Sequence, residues 1–249
     1  MNLDLNNLLE GWPHEPGQIR VRKVMGNDGK EKLQLRIDLG LIQMELTGRP
    51  DGLRPHGRES LLQWHSERAI EAEAKGAAFH LSTEECGELQ QEGIQYYHRY
   101  ISLFQLGDYP AVIRDTQRNL DLLSFTSRYA PQEEMVWSFE QFRPYVMMMN
   151  TRARASIELE RHDYGAAITL IEEGRDRIRE TLEARPDAPA QSPEVDFLNQ
   201  WLEELHSKRP LSKLEALERE MDKAIATEAY ERAAELRDKI RAVRDARPG

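Results

Sequence analysis

The stretch "LERHDYGAAITLIEEGR", residues 159–175, sets a helix end, a short turn and a helix start within seventeen residues. Asp163 and Tyr164 stand at the junction between these two predicted helices. A second stretch, "FQLGDYPAVIRDTQRNL" at 104–120, carries the same Asp-Tyr pair at 108–109. Both stretches predict helix–turn–helix units, and we expect the body of the protein to consist of helical hairpins.

These two units resemble the tetratricopeptide repeat, in which a tyrosine wedges between paired helices and a small residue three positions later permits close packing. The second unit follows that pattern with Ala155, Tyr164, Ala167 and Gly174. The first unit departs from it, since Tyr100 and Val112 stand where small residues are expected. The units are also offset by 55 residues rather than by the usual ~34. The resemblance therefore implies a degenerate pair of hairpins.

Other signals divide the remaining helical region. Ser82 and Glu85 form a capping-box pattern, Pro110 suits the first turn of a helix, and Pro144 interrupts or restarts one. The segment "ARPDAPAQSP", 184–193, reads as a linker. We expect four regions, namely an N-terminal β region at 1–57, a helical body at 58–184, a linker with a connecting helix at 185–210, and a C-terminal hairpin at 211–249.

The N-terminal region has the alternation of β-strands. "QIRVRKV" (18–24) and "LQLRIDL" (33–39) alternate apolar and polar residues, and Asn27-Asp28-Gly29 between them favours a hairpin turn. The apolar phase changes at Gly40, which predicts a bulge. The expected fold class is mainly α with a small N-terminal β-hairpin.

Composition restricts the function. Charged residues make up 31% of the chain and the net charge is −10, which disfavours direct binding to nucleic acid. The single cysteine, Cys86, excludes an internal disulfide and a cysteine-rich zinc site. The N-terminus lacks the features of a signal peptide, and no run of apolar residues is long enough to span a membrane. We therefore expect a cytoplasmic protein that does not enter membranes.

The loop "TGRPDGLRPHGRES" repeats Arg-Pro-x-Gly at 49–52 and 54–57. Proline followed by glycine at this spacing is typical of tight turns. Alternatively, Arg49, Arg54 and Arg58, together with His56, could gather around an anion.

The sequence contains no catalytic motif of the kinds that mark hydrolases, phosphate-binding loops or zinc peptidases. His80 with Glu84, or His98 with Glu92, could contribute to a metal site, although the spacing used in helical bundles is absent. We predict no catalytic residues, no metal and no cofactor.

The C-terminal segment has an apolar seam on each of two helices. One helix carries Leu214, Leu217, Met221 and Ala224, and the other carries Ala229, Ala233, Leu236, Ile240 and Val243. Steps of three and four residues predict an antiparallel helical hairpin. About 35 residues are too few to build a sufficient core, so another surface should cover this hairpin.

The core "YERAAELRDKI", 230–240, together with Leu217, Met221, Ala224 and Glu228, resembles the UVR motif of the excision-repair proteins UvrB and UvrC and of the adaptor McsA. The run "RIDLGLIQMELTGRPDG" also resembles bacterial proteins that carry a C-terminal UVR motif. The resemblance implies a hairpin that pairs with another UVR hairpin. Tyr230, Ala233, Ala234 and Ile240 would lie in the interface, and Arg237 and Asp238 would form ion pairs.

The sequence thus predicts a non-enzymatic adaptor whose partner is another UVR-containing protein or a second copy of itself. The expected partner-binding residues are Leu217, Met221, Tyr230, Ala233, Ala234, Leu236, Arg237, Asp238 and Ile240. Three alternatives stay open: an accessory protein of nucleotide excision repair, a metal-dependent hydrolase, and a hairpin that merely ends its own helical stack. Residues 211–249 hold nine basic and nine acidic residues, so the hairpin has no excess of positive charge for phosphate.

Overall fold

A three-stranded antiparallel sheet comes first in the chain, and helices follow it. The computed structural model describes residues 4–184, 191–208 and 213–245. The elements are α1 (Asn6–Leu9), β1 (Val21–Met25), β2 (Glu31–Ile37), β3 (Gly40–Glu45), a 3-10 turn (Pro55–Gly57), α2 (Leu61–Ala74), α3 (Thr83–Gln105), α4 (Tyr109–Tyr129), α5 (Glu133–Glu140), α6 (Arg143–Glu160), α7 (Tyr164–Glu183), α8 (Pro193–Lys208), α9 (Lys213–Ala226) and α10 (Tyr230–Asp245). The mainly helical fold with a small N-terminal sheet is confirmed.

The β1–β2 hairpin turns where the sequence predicted. Gly29 has a φ of +74°, and its N–H donates to the Gly26 carbonyl at 3.0 Å. A glycine is favoured here because left-handed backbone strains residues with a Cβ. The register pairs Leu33 with Met44 across β2 and β3, and these side chains lie on the buried face of the sheet.

The bulge predicted at Gly40 is wrong. Ile37 pairs with Gly40, so Asp38 and Leu39 form a two-residue turn and the chain reverses into β3. The Leu39 N–H donates to Asp38 Oδ1 at 2.9 Å, which holds this turn. The apolar phase changes because a new strand begins. The sheet order is β1-β2-β3.

The predicted capping box of α3 is confirmed, and two aspartates cap later helices. Ser82 and Glu85 form the complete capping box of α3. Asp108 caps α4 by accepting from Ala111 N, and Asp163 caps α7 by accepting from Ala166 N at 2.9 Å. Because each aspartate is the third residue after the preceding helix and the last before the next one, α3–α4 and α6–α7 are tight helical hairpins.

In both hairpins the first helix ends with the same C-terminal turn motif. Gly107 and His162 adopt left-handed backbone, with φ of +75° and +61°. The next N–H, of Asp108 or Asp163, donates back to Leu103 O or Glu158 O, which is the six-to-one bond of a Schellman motif. This turn fixes the entry of each following helix.

Small residues bring α6 and α7 together. Ala155 and Ala167 are fully buried, and a Cβ on Gly174 would lie 2.2 Å from Thr151 Oγ1. Such a contact is impossible without movement, so Gly174 is required for the close approach of these helices. Met148 and Met149 of α6 are buried in the core, and Cys86 is buried in α3.

Buried charges link the sheet to the helices. Glu92 on α3 accepts from the N–H groups of Leu61 and Leu62 at the start of α2, and it pairs with Arg118. Arg99 donates from Nη1 to the carbonyls of Glu45 and Gly48 and pairs with Asp115 on α4. These bonds fix β3 and the loop after it against α3.

The chain divides into two compact units, one ending at Leu202 and one beginning at Glu203. The connecting helix expected before residue 210 is α8, whereas most of the proline-rich linker lies outside the described residues. Within the described ranges, no helix is both long and apolar enough to cross a membrane.

Candidate partner-binding hairpin

The C-terminal hairpin closes with the turn already seen in the body. Glu228 adopts left-handed backbone with a φ of +57°, and the N–H of Ala229 donates to Ala224 O at 2.8 Å. Ala229 occupies the capping position that Asp108 and Asp163 hold elsewhere. Its side chain has no acceptor, so α10 begins without a side-chain cap.

Most described residues of the predicted seam lie inside the hairpin, whereas Ala229 is exposed at the turn. Ala224, Leu236 and Ile240 are buried, and Leu217, Met221 and Ala233 are half-buried. The side chains of Leu214 and Val243 lie outside the described part. Helix α10 packs along α9, so this seam holds the two helices together.

This packing limits what the seam offers to a partner. Leu236 is 1% exposed and Ile240 is buried, so neither retains apolar surface for another molecule. Leu217 and Met221 retain part of theirs. Any affinity for a partner must therefore come chiefly from other side chains of the hairpin.

The exposed apolar side chains of the hairpin lie beside the seam. Tyr230 is 67% exposed and Ile225 is 49% exposed. On α10, Tyr230, Ala234 and Arg241 recur at helical spacing, about 100° around the helix from the buried positions. They form a continuous exposed stripe.

An ion pair identifies the two sides of the hairpin. Arg232 Nη2 lies 3.6 Å from Glu220 Oε2, which places these two residues on one side of the seam. Helical periodicity puts Ile225 and Tyr230 on the opposite side. We call this side the exposed flank, defined by Ile225, Tyr230, Ala234, Arg237 and Arg241.

Arg237 and Asp238, the predicted ion-pairing residues, bond to each other. Arg237 Nη2 donates to Asp238 Oδ1 at 3.1 Å, and both side chains are largely exposed. An exposed pair between neighbours contributes about 0–1 kcal/mol. Both groups can turn toward a partner at little cost.

The arginines of the repeated loop are largely occupied. Arg49 Nε lies 3.2 Å from Asp51 Oδ2 and 3.4 Å from Glu92 Oε2, and Arg58 pairs with Glu67. Arg54 is exposed, and His56 stacks on Trp64. The predicted double turn is confirmed by bonds from Gly52 N to Arg49 O and from Gly57 N to Arg54 O. Carboxylates neutralise two of the three guanidinium groups proposed to hold an anion.

The metal-site candidates also lie apart from any ligand cluster. Glu92 is held by arginine and by the start of α2, so its carboxylate is already engaged. Within residues 4–184, 191–208 and 213–245, no three His, Cys, Asp or Glu side chains are grouped as metal ligands.

Comparison with known families gives one match. The family described as UvrB/uvrC motif (UVR) matches residues 212–246, which span α9 and α10. No curated protein and no solved structure matches the chain. The similarity to UVR motifs is thus shown for the hairpin, and it leaves the sheet and the helical body unassigned.

Sequence reasoning missed two members of the flank, Ile225 and Arg241. Ile225 was not among the predicted contacts because it falls outside the apolar seam of α9. The signal was present, since an isoleucine off the seam and a tyrosine at the start of α10 flank the same turn.

Proposed function

We propose that this protein is a non-enzymatic adaptor that docks through the exposed flank of its C-terminal hairpin onto a second helical hairpin. The partner is another UVR-containing protein or a second copy of this chain. The observation that carries the proposal is the exposure of Ile225 and Tyr230 on a hairpin that matches the UVR family.

The chemistry of the flank suits a helical partner. Burying the exposed parts of Ile225 and Tyr230 would contribute about 1–2 kcal/mol each. Ala234 lies between the large side chains and lets another backbone approach closely. Arg237 and Asp238 select orientation more than strength, because surface ion pairs are weak.

Charge distribution separates the hairpin from the body. The whole chain has 34 basic and 44 acidic residues, and residues 211–249 hold nine of each. Residues 1–210 therefore hold 25 and 35, which is the entire net charge of −10. A neutral hairpin can meet a second hairpin of like composition without repulsion, whereas two acidic bodies repel each other.

The helical body serves this proposal as a scaffold. Its α3–α4 and α6–α7 hairpins share the same turn, and α6–α7 also has the close helix contact that is typical of tetratricopeptide repeats. We assign the body to that repeat-like class as part of the proposal, and we place the protein in the bacterial cytoplasm.

A matched pair of substitutions tests the docking surface. Ala234→Arg puts a long cation in the flank, and Ala226→Arg puts the same side chain on the exposed back of α9. In the full chain, we expect Ala234→Arg to weaken capture of a UVR-containing partner, or self-association measured by light scattering, at least about tenfold. Ala226→Arg should leave both the capture of the partner and the self-association unchanged. Equal association of Ala234→Arg and the parent chain would exclude the flank as the interface.

A second candidate is an accessory role in nucleotide excision repair, which the name of the matched family favours. In that case the partner would be a UvrB- or UvrC-type protein, and the chain would reach DNA through it. Capture of purified UvrB and UvrC proteins by the full chain, compared with Ala234→Arg, distinguishes this role from adaptor functions elsewhere.

A further inference from the structure

A cavity of about 490 Å³ lies in the first unit, among α3, α4, α5 and α6. Aromatic side chains dominate its walls, and these are Tyr97, Tyr100, Phe139, Phe142 and Tyr145. The cavity is large enough for a small organic molecule. It shares no residue with the hairpin and is independent of the proposed adaptor function.

Three of these tyrosine rings pack against one another, one pair edge to face and one pair tilted. Tyr97 and Tyr100 have centroids 5.5 Å apart at 87°, and Tyr97 and Tyr145 have centroids 6.1 Å apart. A planar aromatic guest can add to such a set, because it offers both a face and an edge to its neighbours.

Tyr100 supplies an unpaired polar group. Its side chain is 1% exposed and lines the cavity, yet its hydroxyl bonds to none of the residues that the structure describes. Burial raises the pKa of Tyr100 above its ordinary value, and the nearby phenols of Tyr145 and Tyr97 add to the effect. This hydroxyl can therefore bond to an occupant of the cavity, which favours an occupant with a hydrogen-bonding group over one without.

The lining also restricts the charge of an occupant. Among the described residues, those that line the cavity include no Asp, Glu, Lys or Arg. Burial lowers the pKa of His98, so this imidazole is neutral at physiological pH. A charged guest would lose its hydration without gaining a counter-charge.

A glycine in the middle of α3 leaves one wall of the cavity without a side chain. Gly93 lies within α3 and lines the cavity, and a Cβ built on it would be 3.9 Å from Leu122. Glycine inside a helix is less stable than alanine by about 0.5–1 kcal/mol. No backbone strain requires glycine here, and a larger side chain would fill the cavity.

From these observations we propose that the cavity binds a small, uncharged, planar aromatic molecule that carries one hydrogen-bonding group. The aromatic walls hold its rings, and the Tyr100 hydroxyl pairs with its polar group. The absence of lining charge selects against ionised analogues.

Three related probes test this proposal on the full chain. 2-Naphthol has two fused rings and one hydroxyl, naphthalene lacks the hydroxyl, and 2-naphthoate is an anion. We expect saturable binding of 2-naphthol with a dissociation constant below about 1 mM, measured by ligand-observed NMR. Tyr100→Phe should weaken 2-naphthol binding about threefold to tenfold and leave naphthalene binding unchanged.

Two glycine variants distinguish an effect of filling the cavity from an effect on the stability of the fold. Gly93→Leu should abolish saturable binding while the melting temperature stays equal or rises, because a helix glycine has been replaced. Gly87→Leu in the same helix has no atom within 4 Å of the added Cβ and should bind normally. The proposal is overturned if 2-naphthol does not bind, if Gly93→Leu binds it as well as the parent does, or if 2-naphthoate binds more tightly.

Discussion

Arg99 on α3 and Asp115 on α4 form a two-bond ion pair, with Nε 2.7 Å from Oδ2 and Nη2 2.8 Å from Oδ1, and each side chain is 1% exposed. Arg99 also donates to the carbonyl of Glu45, the last residue of β3, and to that of Gly48 in the loop after it. The pair therefore joins the sheet to the first helical hairpin.

Replacing Asp115 with alanine should destabilise the first unit by about 3–5 kcal/mol, because it leaves the Arg99 guanidinium buried without a counter-charge. Arg114→Ala provides the control. Arg114 contacts the same carboxylate from a partly exposed position, so its loss should cost at most about 1 kcal/mol. Urea unfolding measures both changes, and similar effects in the two variants would contradict the assigned role of burial.

Adding a cap to the C-terminal hairpin should stabilise it. Ala229→Asp places a carboxylate where Asp108 and Asp163 stand in the equivalent turns, and it should gain about 1 kcal/mol by accepting from Arg232 N–H. Hydrogen exchange of the α10 amides reports the gain. The reverse change, Asp163→Ala, should weaken protection in α7 by a similar amount. Unchanged exchange in α10 would show that the three turns are not equivalent.

Gly174→Ala should destabilise the α6–α7 hairpin by about 2 kcal/mol or more, since the new Cβ would overlap Thr151 and force the helices apart. Gly87→Ala adds the same methyl group at an open helix position and should stabilise the protein by about 0.5–1 kcal/mol. Thermal unfolding compares the two. A stabilising Gly174→Ala would disprove the close approach of α6 and α7.

Acidification should destabilise the first unit through His65. The pKa of His65 is lowered from 6.5 to about 4, chiefly by burial. Arg68 and His56 contribute to the lowering, and Glu85 opposes it. The native state therefore binds fewer protons than the unfolded state between about pH 6.5 and 4, and stability falls as the pH drops through that interval.

The titration of His65 should lower the free energy of unfolding by about 2 kcal/mol between pH 7.5 and pH 5. Urea unfolding of the parent chain and of His65→Gln at both pH values isolates it, because the glutamine cannot titrate. If both proteins lose the same free energy, His65 is not responsible.

Local signals predicted much of the fold. The Asp-Tyr junctions at 108–109 and 163–164, the capping box of Ser82 and the turn at Gly29 each depend on residues a few positions apart, so sequence alone is enough to place them. The third strand was missed because a two-residue turn at Asp38 and a bulge produce the same change of apolar phase.

Longer-range features were not predictable in this way. The periodicity of Leu236 and Ile240 predicts a buried seam, but the same pattern fits cover by α9 or by another chain. Glu92 and Arg99 are charged and would be expected at the surface. Their burial follows from partners more than twenty residues away, such as Arg118 and Glu45, and no local pattern reveals those contacts.

The bonds from Arg99 to Glu45 and Gly48 also bear on the order in which the protein assembles. They close loops of 54 and 51 residues, whereas each helical hairpin closes through a turn of three residues. Closing a long loop costs more entropy and takes longer than closing a short one. We therefore expect the helical hairpins to form early on the folding pathway and the N-terminal sheet to be locked in place late, once α3 and α4 have already met.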